Sequence, residues 1–225
     1  MRSGWFWNTD SWQEYLLEYA KTRPECLNEW KSSPLSDDHD LSDAVNWEGE
    51  TAKGYIVKSC TSQVIDLQKH RWSHIRKSYR GLINQAKPCY ALTESSDLIH
   101  FKAVHRATFG MVRNDETFSI QQKWADYGFA FSVMARTHLH ANDYVAAVLW
   151  IIYQGNAYLA SAPSLERDVM HLAIWKSLDV LRLRGVRLVE MGQVDGSNDK
   201  ERDIGFFKSG FGGSPVHFTI VRRVP

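Results

Sequence analysis

At 225 residues, with 44% hydrophobic and 24% charged positions, the chain has the size and composition of a globular protein with one sizeable core. A formal net charge of +1 gives no bulk attraction to nucleic acid or an anionic membrane, so any basic function must be local. Cys26, Cys60 and Cys89 form no CxxC pair and no zinc-spaced cluster, and neither a signal-peptide core nor an apolar run of ~18 residues occurs, so a soluble cytoplasmic protein without a metal is expected.

In chain order, Asp10-Ser11 followed by Trp12, Leu16 and Tyr19 at helical spacing predicts a short amphipathic helix over 11–20. The polar, acidic stretch SSPLSDDHDLSD, residues 32–43, reads as a loop or linker. Residues 1–62 are therefore expected to be an extension packed on a main domain at 63–225. A strand is predicted over 55–60. From Asp66 a long helical pattern follows, LQKHRWSHIRKSYRGLINQA, with Leu67, Trp72, Ile75, Tyr79, Leu82 and Ile83 on one side. Its other side carries Lys69, Arg71, Arg76, Lys77 and Arg80, which either solvate the helix or offer charge to an anion.

Residues 88–93 read as a strand, and 97–109 and 117–127 as helices, the first introduced by the capping pair Ser95-Ser96. Strands over 129–137, 144–153 and 157–161, joined by the turn-rich HLHAND and QGN, predict an antiparallel meander. A helix over 168–184 ends at Gly185, and a strand over 186–191 follows. A helix over 200–209 and a strand over 216–221 close the chain.

From Pro88 this order, β-α-α-β-β-β-α-β-α-β, resembles the fold of the Gcn5-related N-acetyltransferase (GNAT) superfamily. The implied fold class is mixed α/β (α+β): a central sheet with splayed strands, flanked by helices, here with an N-terminal helical extension. The closing stretch 204-IGFFKSGFGG-213 resembles the "gi..FK..FGg" ending of the FemABX-like branch. VIDLQKHRWSHIRKSYRGLINQA and HLAIWKSLDVLRLRGVRLVEMG are similar to two further segments of that branch.

The resemblance implies acyl transfer to a primary amine, with aminoacyl-tRNA as donor in the peptidoglycan-bridge enzymes and acyl-CoA in many single-domain relatives. Because bridge enzymes carry two such modules, acyl-CoA is the expected donor. A dTDP-linked amino-deoxy sugar destined for surface polysaccharide is the expected acceptor, as in sugar N-acyltransferases of comparable size. No nucleic-acid or membrane partner is expected under this reading, and homo-oligomer formation stays open. Arg76, Lys77 and Arg80 would then meet the pyrophosphate, and Trp7 would stack on the base. An aminoacyl-tRNA-dependent transferase and a non-catalytic GNAT-derived binding module are the alternatives.

In GNAT enzymes the acyl donor threads between the fourth and fifth strands, expected here at 157–161 and 186–191, and its pyrophosphate meets the following helix N-terminus. That loop, residues 161–168, lacks the usual Q/R-x-x-G-x-G/A pattern, which leaves Ser161, Ser164 and Arg167 as candidate cofactor contacts. Ser164 could instead cap the helix. Glu190 and Asp195 are candidate bases; Glu190 could equally pair with Arg187 or Arg222. The usual general-acid tyrosine is replaced by Phe206-Phe207, and Lys208, matching the lysine of the closing motif, is the candidate for oxyanion stabilisation.

Overall fold

The computed structural model describes residues 29–31, 55–138 and 143–223. The expected helix at 11–20, the acidic stretch at 32–43 and Trp7 lie outside them. The chain runs β1 (Glu29–Lys31), β2 (Tyr55–Asp66), α1 (Lys77–Ala86), β3 (Tyr90–Ser95), α2 (Ile99–Phe109), α3 (Asp115–Asp126), β4 (Ala130–Thr137) and β5 (Tyr144–Tyr153). It continues with β6 (Asn156–Ser161), α4 (Val169–Leu183), β7 (Leu188–Gln193), α5 (Asp199–Ser209) and β8 (Ser214–Arg223). From β3 onward the element order is the one the sequence predicts.

All of these strands join one 8-stranded sheet in the order β1-β8-β2-β7-β6-β5-β4-β3. Every described pairing is antiparallel except β6 with β7. The meander β4-β5-β6 forms as expected, its second hairpin closed by Gln154 and Gly155, both at positive φ, as a two-residue primed turn requires.

Successive side chains of a strand point to opposite faces, so a strand buried on both faces must be covered on both. In β4 and β5, Phe131, Val133, Ala135, Ala146, Val148 and Trp150 join the core shared with α1 and α4. Their alternates Ala130, Met134, Ala147 and Leu149 join a second core with Phe101 and Val104 of α2 and with Phe118 and Ala125 of α3. The result is three layers, helix–sheet–helix. Truncating a fully buried residue such as Phe131 or Ile174 to alanine would cost about 2–5 kcal/mol.

Two sequence expectations meet a different outcome. The strand expected over 55–60 is longer: β2 has 12 residues, Tyr55–Asp66, and lies between β8 and β7, with β1 at the edge of the sheet. The long helix expected from Asp66 is a 10-residue α1 preceded by turns and a short 3-10 segment at Trp72–His74. Tertiary partners take the backbone donors that the missing turns would have used: Leu67 N–H donates to Arg187 O (2.8 Å) and Arg76 N–H to Gly210 O (2.9 Å). His70 is buried there, its Nε2 donating to Phe211 O at 2.7 Å.

Candidate active site

Pairing between β6 and β7 is confined to Asn156–Leu188, Ala157–Val189 and Tyr158–Glu190. Beyond these, each strand follows its outer neighbour. The chain leaving β6 stays bonded to β5: Ala147 N–H donates to Pro163 O (3.0 Å), Leu165 N–H to Val145 O (2.8 Å), and Ala146 bridges Ser164. β7 is held instead by β2, with Gln193 opposite Ser62 and Gly192 opposite Gln63. Glu190 faces Val64, so Met191 is an extra residue in β7, and Gly192 takes the left-handed φ of +87° that follows. A bulge of this kind re-aims a strand where two must part.

Chemically active side chains gather at this divergence. Glu190 is buried and accepts a hydrogen bond from Ser62 Oγ at 3.0 Å. Across from it Tyr158 is pushed up to about 12 by burial and by the Glu190 charge, against the opposing pull of Arg113, so the phenol stays protonated at neutral pH. Arg113, from the loop between α2 and α3, donates through Nη2 to Ala160 O at 3.4 Å, on the part of β6 that has left β7. Burial lowers its pKa, and the neighbouring Tyr158 acts in the opposite sense.

Lys208 arrives on α5. This helix starts at Asn198, whose side chain accepts from Glu201 N–H (3.0 Å), while Glu201 reaches back to Ser197 N–H (2.7 Å). It lies so close to the end of β7 that a Cβ on Gly205 would sit 2.2 Å from Val194 O. That docking sets Lys208 Nζ 3.0 Å from Gln193 O, which accepts its hydrogen bond. A Cβ on Gly192 would lie 2.9 Å from Lys208 Nζ and 3.9 Å from Tyr158 Cε2, so lysine, strand bulge and tyrosine are immediate neighbours.

Of the residues singled out from sequence, the fold brings Glu190 and Lys208 to this place. Asp195 is exposed beyond the end of β7, where its carbonyl accepts from Gln193 Nε2. Ser161 closes β6 and is half-buried; Arg167 is exposed. Ser164 donates to Glu166 O (2.6 Å) and does not cap α4, whose N-cap is Asp168 at a φ of 67°. Glu166, hydrogen-bonded by Tyr90, and Asp168 put two carboxylates in the loop where a donor pyrophosphate was expected. Arg76 lies over the Phe206 ring at 3.7 Å and donates to Phe206 O and Ser209 Oγ, tying α1 to α5; Lys77 is exposed and Arg80 half-buried on the same helix.

Tyr158, Arg113 and Ser62 are the site residues that sequence reading passed over. Tyr158 could have been noticed as a phenol in the strand expected to splay, where an aliphatic residue would suffice for a core. Arg113 and Ser62 carry no motif, being 47 and 128 positions away from the residues they bond, Ala160 and Glu190.

The arrangement has the defining feature of a GNAT sheet: two parallel strands that pair and then part, with ionisable groups at the fork. The fold is GNAT-type and FemABX-like. No protein-family model matches this sequence, and no curated protein does. Among solved structures, FemX superposes with a TM-score of 0.64 at 12% identity, covering 92% of this chain and 76% of FemX. L-PGS from Bacillus licheniformis gives 0.64 at 12% identity over 96% of this chain and 74% of that one. A tandem GNAT protein from the clavulanic acid biosynthesis pathway gives 0.53 at 15% identity, covering 96% and 71%. At these identities the likeness is one of fold. Among the described residues no helix is long and apolar enough to cross a membrane, and no cluster of His, Cys, Asp and Glu is arranged for a metal ion.

Proposed function

We propose that this protein is an N-acyltransferase in which an activated acyl carbonyl enters the gap between β6 and β7 and is attacked there by a primary amine. The observation that carries this reading is the convergence of Glu190, Tyr158 and Lys208 where the two strands part. The amine nitrogen bonds to the carbonyl carbon, the bond to the donor's sulfur or oxygen breaks, and the amine proton must leave. Glu190 accepts that proton, directly or through water, and passes it to the departing sulfur or oxygen, which leaves as thiol or alcohol. The Lys208 charge stabilises the developing oxyanion. Tyr158, protonated at neutral pH, donates a hydrogen bond; full proton transfer from a phenol at about 12 to a thiolate would be strongly uphill.

Acyl-CoA is the donor of the first reading, with Ser161, Ser164 and Arg167 at its phosphates, and a nucleotide-linked amino-deoxy sugar is the acceptor, met by Arg76, Lys77 and Arg80. Asp195 is the alternative base. One observation favours a second donor: Glu166 and Asp168 stand in the loop that a CoA pyrophosphate would approach, which suits the aminoacyl-tRNA donor of FemABX-like enzymes better. Mass spectrometry of reactions with acyl-CoA and aminoacyl-tRNA donors against dTDP-amino sugars and simpler amines tests both. Acyl product is expected with one donor class, and none with either would remove the proposal.

A further inference from the structure

Arg113 stands out among the groups at the divergence. Its Nη1 is buried with no hydrogen-bond partner, while Nη2 makes the long 3.4 Å bond to Ala160 O. The ionisable groups that act with it are the Tyr158 phenol, which stays protonated at neutral pH, and His105, whose imidazole the Arg113 charge helps to keep neutral. A buried, charged donor without an acceptor is rare in a native fold, and one common reason for keeping it is that a ligand supplies the acceptor.

The surroundings hold this guanidinium in place. Gly110, at a φ of +68°, ends α2, and Asn114, directly after Arg113, caps α3 by accepting from Thr117 N–H at 2.9 Å. The arginine is thus fixed at its backbone between two helices that pack on the sheet, and its side chain crosses to β6 where that strand has lost β7. A planar fork of N–H donors suits a carboxylate or phosphate, which can accept two parallel bonds.

We propose that Arg113 is a specificity residue that binds an anionic oxygen group, carboxylate or phosphate, on a molecule entering the gap between β6 and β7. The inference rests on the reading of that gap as the ligand site. The anion belongs either to the acceptor or to the donor, and a substrate lacking it binds poorly even when its amine or acyl group is correct.

The test is calorimetric binding of matched pairs differing in the anion: α-amino acids and their carboxamides, a dTDP-linked amino sugar and the free amino sugar, CoA and pantetheine. Wild-type protein should prefer the anionic member of at least one pair, and the pair concerned identifies the source. Arg113→Gln should weaken that member by about 10- to 100-fold, as expected for a lost charge-assisted bond, and leave the neutral member within about twofold. Arg113→Lys keeps the charge without the fork and should fall between the two; it covers the case in which the glutamine variant melts too low to assay. Wild-type protein that binds both members of every pair alike, or none of them, overturns the assignment. So does a folded Arg113→Gln or Arg113→Lys variant that keeps the full preference. Binding is read without turnover, so discrimination by charge with no acyl product would sink amine acylation and leave Arg113 standing.

Discussion

β6 and β7 behave differently over the two halves of their length. From Asn156 to Tyr158 and Leu188 to Glu190 they are a parallel pair, with Ala157 and Val189 buried in the main core. Over Leu159–Ser161 and Met191–Gln193 they share no pairing; β5 holds one strand and β2 the other. Neither strand contains a proline in its diverging half; the bulge at Met191–Gly192 re-aims β7, and different outer neighbours hold the two strands apart. In the paired half Ala157 and Val189 are apolar and buried, and its last pair, Tyr158 and Glu190, stands at the fork, where Arg113 and Lys208 join it. A sheet can create a polar cleft in its middle by giving two adjacent strands different outer partners.

The strongest way to break this contrast is to remove the proposed base at the fork. Glu190→Gln keeps the shape that Ser62 bonds and should lower kcat by about 100- to 10,000-fold, the usual range for a positioned general base. Steady-state kinetics that match wild type would hand the role to Asp195 or to solvent. Lys208→Met should cost about 100- to 1,000-fold in kcat with an unchanged melting curve, because it removes the charge and keeps most of the aliphatic stem. A raised KM with unchanged kcat would move Lys208 from the transition state to ground-state binding.

Gly205 lies outside the gap but sets where Lys208 sits. In Gly205→Ala the added Cβ meets a backbone oxygen, Val194 O, which cannot swing away as a side chain could. A destabilisation of about 1–3 kcal/mol, or roughly 2–10 °C in Tm, is expected, with a loss of turnover although every catalytic side chain is intact. A thermal melt unchanged from wild type would show that α5 is not locked to the end of β7.

The smallest effect comes from the closed regions. His70, His105 and His171 all have pKa values lowered from 6.5, chiefly by burial. Protonation is easier in the unfolded chain, so their contribution is fully present above about 6.5 and is lost as pH falls through the depressed folded values. Tm should therefore be lower at pH 5 than at pH 7.5, and equally so in Lys208→Met. A Tm that does not change between those pH values would contradict the neutral, buried state of these imidazoles.

The elements from β3 to β8 were legible because each is announced locally. Alternation marks the strands, i, i+3, i+4 spacing marks α4, and Gly185 at a φ of 76° stops that helix, with Val186 N–H reaching back to Leu181 O at 3.0 Å. The stretch 67–76 was misread as helix because its spacing is helical. Only the folded chain supplies Arg187 O and Gly210 O as competing acceptors.

Of the candidate site, the sequence by itself offered Glu190, through its place on a strand, and Lys208, through the resemblance carried by the closing stretch. Tertiary structure alone decided that β2 enters the sheet beside β7, that β6 and β7 part after Tyr158–Glu190, and that Arg113 and Ser62 reach the fork. The physical reason is one of range. Propensity and periodicity act over a few residues, whereas a strand's choice of outer neighbour and a buried group's partner depend on contacts that form only when distant segments meet.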